Sequence, residues 1–409
     1  MNFDIVITGG GMAGASLAAA LIPAGLNVAI VEAVPLESAE QPSFDERTVA
    51  LTYSSRRIFE GIGVWNTIAP DATPIREIHV SDRGHFGMTR LHHRLMGVDA
   101  LGYVVPHRII GAVLHEFLRG AGNVSIISPA TVTHAKVSDH VIEISLQSES
   151  QTRNVTAKLM VVADGGRSSI SNELGIKSNA KKYPQVALVT TIKTSQEHHG
   201  MAYERFTQDG PLALLPLREK EYAVVWTLRP TRAEINREVE QSEFLQALQD
   251  IFGERAGEFQ QCGSRNIYSL SLNTIENPVQ HRVVVAGNAA HTVHPVAGQG
   301  FNLSLRDIAS LAETIATAND KSQDIGALPV LQSYATQRKR ETQAVTRFTD
   351  SLISTFANQI PGLTFARNTA LTAVQLLPPL KRFLLQRTMG LNRPSSRLAM
   401  GLPLNSTRD

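Results

Sequence analysis

Three glycines and one acid near the start of the chain carry the first recognisable chemistry. Residues 4–32 read DIVITGGGMAGASLAAALIPAGLNVAIVE, with Gly9, Gly11 and Gly14 in G-x-G-x-x-G spacing and Glu32 further along. At that spacing Gly9 permits a tight turn, Gly11 lets a pyrophosphate approach the backbone, and Gly14 lets a helix pack closely on a strand. A helix opening at Met12 and Ala13 turns unpaired N–H groups and the positive end of its dipole toward phosphate. Glu32 offers acceptors to ribose hydroxyls, and its charge repels a 2′-phosphate. The context fits: Asp4–Thr8 reads as a buried strand, Met12–Leu21 as a helix ended by Pro23 and Gly25, and Asn27–Val31 as a second strand closed by Glu32. The unit predicts an ADP-ribose site, which FAD and NAD share.

Two later stretches bear on the choice. In LMVVADGGRSSISNELGI (159–176), a strand over Leu159–Ala163 runs into Asp164 and Gly165, a corner where the backbone bends sharply. In GNAAHTVHPVAGQGFNL (287–303), Gly287 and Asn288 turn the chain after a strand over Arg282–Ala286. The loop Pro295–Gly300 follows, containing Ala297, Gly298 and Gln299. Helical spacing then runs from Phe301 and Asn302 to about Ala318, with Leu303, Leu305, Ile308, Leu311 and Ile315 on one face. His291 and His294 suggest a metal site, but no Asp, Glu or Cys lies between Gly287 and Arg306 to complete one. No metal is expected.

The three motifs, in this order, resemble those of the group A flavoprotein aromatic hydroxylases. That resemblance implies an α/β fold: a Rossmann-like FAD/NAD(P)-binding domain with an inserted mixed β-sheet substrate domain, the para-hydroxybenzoate hydroxylase fold, and a helical C-terminal region. It implies FAD as cofactor, NAD(P)H as electron donor, and hydroxylation of an electron-rich phenol with O2. Gly9, Gly11, Met12, Ala13 and Gly14 match the family's ADP site. Asp164 and Gly165, with Ser168, match the motif that touches both cofactors. Gly287 to Asn302 match the motif beside the ribityl chain and flavin ring, with Pro295, Gly298, Gln299 and Gly300 positioning the ring. Arg47 and Arg108 stand where the family contacts FAD. A helix N-terminus at Gly298–Asn302 would stabilise the negative charge of reduced flavin. The resemblance requires no protein nucleophile, and Tyr203, Glu204 and Arg205 are read as supports of the substrate sheet.

A narrower likeness runs over FDERTVAL (44–51), HVSDRGHFG (79–87), AYERFTQDGPLALLPL (202–217) and GNAAHTVHPVAGQGFNLSLRD (287–307). It is to the ubiquinone-biosynthesis hydroxylases, and among them to the branch acting on polyprenyl-methoxyphenols. This implies a polyprenylphenol substrate and a place in a biosynthetic complex. Two positions depart from the wider family. Asn288 replaces an Asp, and its amide still accepts and donates; the narrower branch shares it. Ser171 stands where the wider family has an Arg.

These residues need elements to position them. The chain has 409 residues, 43% of them hydrophobic and 19% charged, with net charge +2, enough for two cored domains and too weakly basic to indicate nucleic acid. Its single cysteine, Cys262, excludes an intrachain disulfide. With no signal peptide and no apolar run long enough to span a bilayer, a cytoplasmic location is expected. The FAD domain is expected over 1–75, 102–180 and 266–335, the substrate domain over 76–101 and 181–265, and a C-terminal helical region over 336–409. Arg232–Phe252 reads as one helix. At the C-terminus a helix over Leu331–Phe356 precedes two Leu-rich pieces, Leu363–Leu377 and Leu380–Met389, which carry Arg367, Lys381, Arg382 and Arg387. Such amphipathic basic helices suit either the inner face of a membrane or packing on protein.

Overall fold

Val6 and Ile7 have no exposed surface, and the strand that carries them, β1 (Asn2–Thr8), is the middle of a parallel sheet. The computed structural model describes residues 1–35, 47–148, 151–165, 170–357, 360–391 and 396–404. Helix α1 (Met12–Leu21) leads to β2 (Val28–Val31). Helix α2 (His107–Arg119) leads to β3 (Val124–Ile127). Strands β4 (Gln151–Val162) and β5 (Val283–Val285) complete the parallel set, in the order β5-β4-β1-β2-β3. Register fixes the site: Thr8 pairs with Val31 on one side and Val162 on the other, and Val162 pairs with Val285. The carboxyl ends of β1, β2, β4 and β5 are therefore level. Gly9, Glu32, Asp164 and Gly287, which follow them, are brought to one edge, where open α/β sheets bind ligands.

One face of the sheet is covered by α1, α2 and α3 (Gln299–Asp320). Leu303, Leu305, Ile308, Leu311 and Ile315, the apolar face read from the sequence, are all buried, and all but Leu303 join one cluster with Leu17, Ile110 and Leu114. Each contributes roughly 1.5–3 kcal/mol by leaving water. The hairpin Thr131–Val137 and Ile142–Ser148 extends the sheet from β4.

Among the described residues the second sheet has nine strands. Its long strand Ser178–Thr194 pairs antiparallel with Asn266–Ile275 and Glu221–Leu228, and Glu77–Asp82 with Met88–His92 forms the far edge. Asn266–Ile275, assigned from sequence to the first domain, hydrogen-bonds into this second sheet, and so does His291–Thr292. The segment expected as one helix over Arg232–Phe252 is two, Pro230–Glu238 and Gln241–Phe252. Extended backbone at Val239 and Glu240 separates them, and Arg265 donates to the carbonyls of Asn236 and Val239 at 2.9 and 2.7 Å, taking up acceptors at the break. Helix α4 (Leu328–Ala357) runs unbroken through residue 336, the expected domain boundary, and packs along α3. Helices α5 (Pro361–Leu376) and α6 (Pro378–Thr388) follow, each with proline in its first turn. Leu385 of α6, with Met389 just beyond it, packs on Leu91 and Leu101. No helix among the described residues is long and apolar enough to cross a membrane.

Candidate functional site

At the level edge of the first sheet the glycines are held against their neighbours. Gly9 has φ +94°, and a Cβ there would lie 2.7 Å from the carbonyl oxygen of Ala163. A Cβ on Gly14 would come within 2.0 Å of the Gly9 carbonyl oxygen, so α1 rests directly on the turn. A Cβ on Gly287 would meet the Cβ of Ala13 at 2.8 Å. The contact that excludes a side chain at Gly287 is thus with α1, and Gly287 itself does not line the cavity; the adjacent Asn288 does. The Glu32 carboxylate accepts from Gly10 N–H at 2.6 Å and from Val34 N–H at 2.9 Å. These bonds fix its orientation, and each oxygen keeps a further lone pair for a ribose hydroxyl. His115, unremarked in the sequence, reaches from α2 to the Gly10 carbonyl at 2.8 Å and holds the turn from behind. Its only sequence signal is a polar residue on an otherwise apolar helix face.

These groups open onto a cavity of about 870 Å³, within the range of small-molecule sites. One end is lined by Gly9, Gly11, Met12, Ala13, Glu32, Arg47, Asp164 and Gly165. The guanidinium of Arg47 sits 5.0 Å from the Tyr268 ring centroid. Pro295, Gly298, Gln299, Gly300 and Phe301 line the middle, and Ala297 lies in the short turn Val296–Gly298 that leads into α3. Gly298 takes φ +60° at the N-cap of α3, a conformation suited to glycine. Neither Gly11 nor Gly298 caps its helix with a side chain, and neither helix has an acid in its first turn. Both helix ends therefore present backbone N–H groups suited to negative charge.

The far end is apolar, walled by the second sheet (Ile78, Val80, Ala213, Leu215, Val225) and by α4, α5 and α6 (Leu352, Phe356, Leu371, Leu384). Glu204, read from the sequence as a sheet support, also lines the cavity.

Two sequence-predicted contacts fall elsewhere. Arg108 is exposed on the first turn of α2, while the adjacent His107 faces the cavity. Asn302 is fully buried and its amide is spent within the protein. Its Nδ2 donates to the carbonyls of Ala50 at 2.7 Å and Gly298 at 2.5 Å; its Oδ1 accepts from Thr52 N–H at 2.8 Å and Ser55 Oγ at 2.6 Å. It is a clamp between the loop Pro295–Gly300 and the strand Thr48–Thr52, and its side-chain amide has no capacity left for a ligand. Ser168 and residues 44–46 lie outside the described residues.

The histidine pair has separate structural duties. His291 bonds to Asp307, which also accepts from Arg338 at 2.5 Å; Arg338 bonds to Glu341, which accepts from Arg306 at 2.5 Å. Burial alone would raise the Asp307 carboxyl, but the charges of Arg338 and His291 hold it down at about 2. His294 is buried edge-on to Tyr183, with centroids 5.1 Å apart, and burial lowers its imidazole to about 4. No group of three or more His, Cys, Asp or Glu that could hold a metal occurs among the described residues.

Comparison with known proteins is consistent with this geometry. Residues 2–349 match the family described as FAD binding domain. An uncharacterized protein of Synechocystis sp. is 33% identical over 99% of this chain and 97% of its own. Ubiquinone hydroxylase UbiL of Rhodospirillum rubrum is 32% identical over 98% of this chain and 93% of its own. Among solved structures, p-nitrophenol 4-monooxygenase PnpA from Pseudomonas putida superposes with a TM-score of 0.79, covering 97% of this chain and 99% of that one, at 18% identity. At that identity the likeness shows the fold alone.

Proposed function

The chain belongs to the FAD binding domain family, and from that premise we propose that it hydroxylates the aromatic ring of a polyprenyl-methoxyphenol in ubiquinone biosynthesis, using NAD(P)H and O2. It is a flavoprotein aromatic monooxygenase with FAD as its cofactor. The cradle formed where Gly9, Gly14 and Gly287 exclude side chains, together with two uncapped helix ends, fits that group. When bound, FAD supplies the redox chemistry, accepting hydride and activating dioxygen.

This chain's residues do the rest. Gly9, Gly11 and the start of α1 receive the pyrophosphate. Glu32 takes the ribose hydroxyls. Pro295–Gly300 set the ring's position, and the N–H groups opening α3 stabilise negative charge there. The observation that carries the substrate reading is the continuity of this polar cradle with an apolar chamber. Such a chamber excludes water and favours a phenol with a long hydrocarbon tail over a small polar one. Glu204 lines the same cavity. The similarity to a protein named ubiquinone hydroxylase supports the pathway.

The test is turnover of a short-chain prenyl-methoxyphenol by FAD-loaded protein, followed by oxygen uptake and product mass. One hydroxyl gained per O2 consumed is expected. NAD(P)H oxidation without a heavier product would instead identify a flavin reductase. Ala213→Trp, which fills the apolar chamber, should raise KM at least about tenfold with FAD content unchanged, since a lost apolar contact costs roughly 1–3 kcal/mol.

A further inference from the structure

Helices α5 and α6 are apolar on two sides. Leu371 and Val374 of α5, and Leu384 of α6, line the main cavity. On the opposite side Phe365, Leu376, Leu377, Leu380 and Phe383 stand exposed, by 66, 71, 50, 41 and 56% respectively. Phe86, from the edge of the second sheet, is 62% exposed and extends the patch, its ring centroid 6.4 Å from that of Phe365. A cluster of large apolar side chains of this kind marks an interaction surface.

The charge carried by these two helices has one sign. No Asp or Glu occurs between Asp350 and Asp409, whereas Lys381, Arg382 and Arg387 punctuate α6. Arg382 and Arg387 are exposed, and Arg387 lies over the Phe383 ring at 5.3 Å. Arg367, by contrast, is buried against Asp82 at 2.8 Å and serves to seat α5 on the second sheet. A second cavity, of about 500 Å³, opens between these parts; Phe86 and Phe365 line it. Phe356 lines both cavities and stacks on Phe206 with centroids 3.6 Å apart.

We propose that the outer face of α5 and α6 docks on an anionic phospholipid bilayer, the exposed Phe and Leu side chains entering its surface and the basic residues meeting its headgroups. Amphipathic basic helices bind such surfaces through both terms together. A second copy of this chain is a poorer occupant, because a two-fold interface would set two patches of the same positive charge against each other. The cavity continuous with the inner faces of these helices gives the surface its use. A substrate with a long apolar tail need not cross water to reach the ring-binding end. Only this last point rests on the proposed function; the docking itself does not.

The measurement is flotation of full-length, FAD-loaded protein with vesicles of phosphatidylcholine alone or mixed with phosphatidylglycerol, at low and high salt. At least about tenfold more protein should float with the anionic vesicles at low salt, and high salt should reduce it. Leu377→Glu/Phe383→Glu should lower flotation about tenfold at unchanged flavin content. Lys381→Gln/Arg382→Gln/Arg387→Gln, altering surface groups only, should abolish the preference for phosphatidylglycerol. Wild-type protein that does not float, or variants that float equally well, would overturn the proposal. So would a wild-type dimer in sedimentation that Phe383→Glu dissociates, which would assign the patch to a second copy. Flotation requires no turnover. Protein that floats but does not hydroxylate defeats the functional reading alone, and the reverse result defeats the docking alone.

Discussion

Asn302 shows how far a residue's type reveals its task. Its position at a helix start beside the flavin loop suggests a cofactor ligand, yet its amide joins Ala50, Thr52, Ser55 and Gly298. Three of those partners lie some 250 positions away, beyond the reach of local spacing. The glycines were legible because backbone geometry restricts those positions to one residue type, and the place of Glu32 because it closes the second strand of the unit beside them. Arg108 was not, since an arginine on a helix start serves water as well as a ligand. Asn302→Ala leaves buried donors and acceptors unpaired at both ends of the clamp. It should cost about 2–4 kcal/mol in a urea titration, and FAD should leave at lower temperature, as followed by flavin fluorescence.

The helices and strands were largely legible from periodicity, while their joints were not. The apolar stripe of α3 predicted its buried face, but the polar residues between the stripes gave no sign of their partners. Asp307 and Arg306 of α3 meet Arg338 and Glu341 of α4 in a chain that ends at His291, so α4 fixes the helix whose N-terminus faces the cavity. In the sequence Arg338 opens a run of charges, Arg338 to Glu341, with nothing to tell it from its neighbours; in the fold it is 4% exposed. Arg338→Leu should therefore act as a core substitution. It removes the partner that Asp307 and Glu341 share, leaving each carboxylate with one of its two ion-pair partners, and should cost about 3–5 kcal/mol in equilibrium unfolding. Replacing the neighbouring Lys339 with Leu should stay within about 0.5 kcal/mol.

At the scale of the molecule, which sheet a strand joins is not legible from the strand itself. Asn266–Ile275 alternates in a way that suits either sheet, and only its pairing with Ser178–Thr194 decides. Two histidines on that second sheet and its margin set a global response to acid. Burial lowers His79 to about 4, with the positive charges of Arg255, Arg90 and Arg205 adding to the effect, and burial lowers His294 to about 4 despite Asp350. Both are neutral in the fold at a pH where the unfolded chain, at its ordinary 6.5, is protonated. Their full contribution is present above pH 6.5, declines as the pH falls toward 4, and levels off below that. His79→Gln/His294→Gln should flatten this segment of the stability curve by ~2 kcal/mol per site, read from urea midpoints across that pH range. The contact between Gly287 and Ala13 has a consequence for the chain's own birth. β1 and α1 are translated well before β5 and α3, the elements that bring Gly287 against Ala13. Flavin capture should therefore wait until β5 and α3 have been made; until then β4 lacks its neighbour β5 and α1 lacks the helix that packs on it, apolar surface that must be shielded from aggregation.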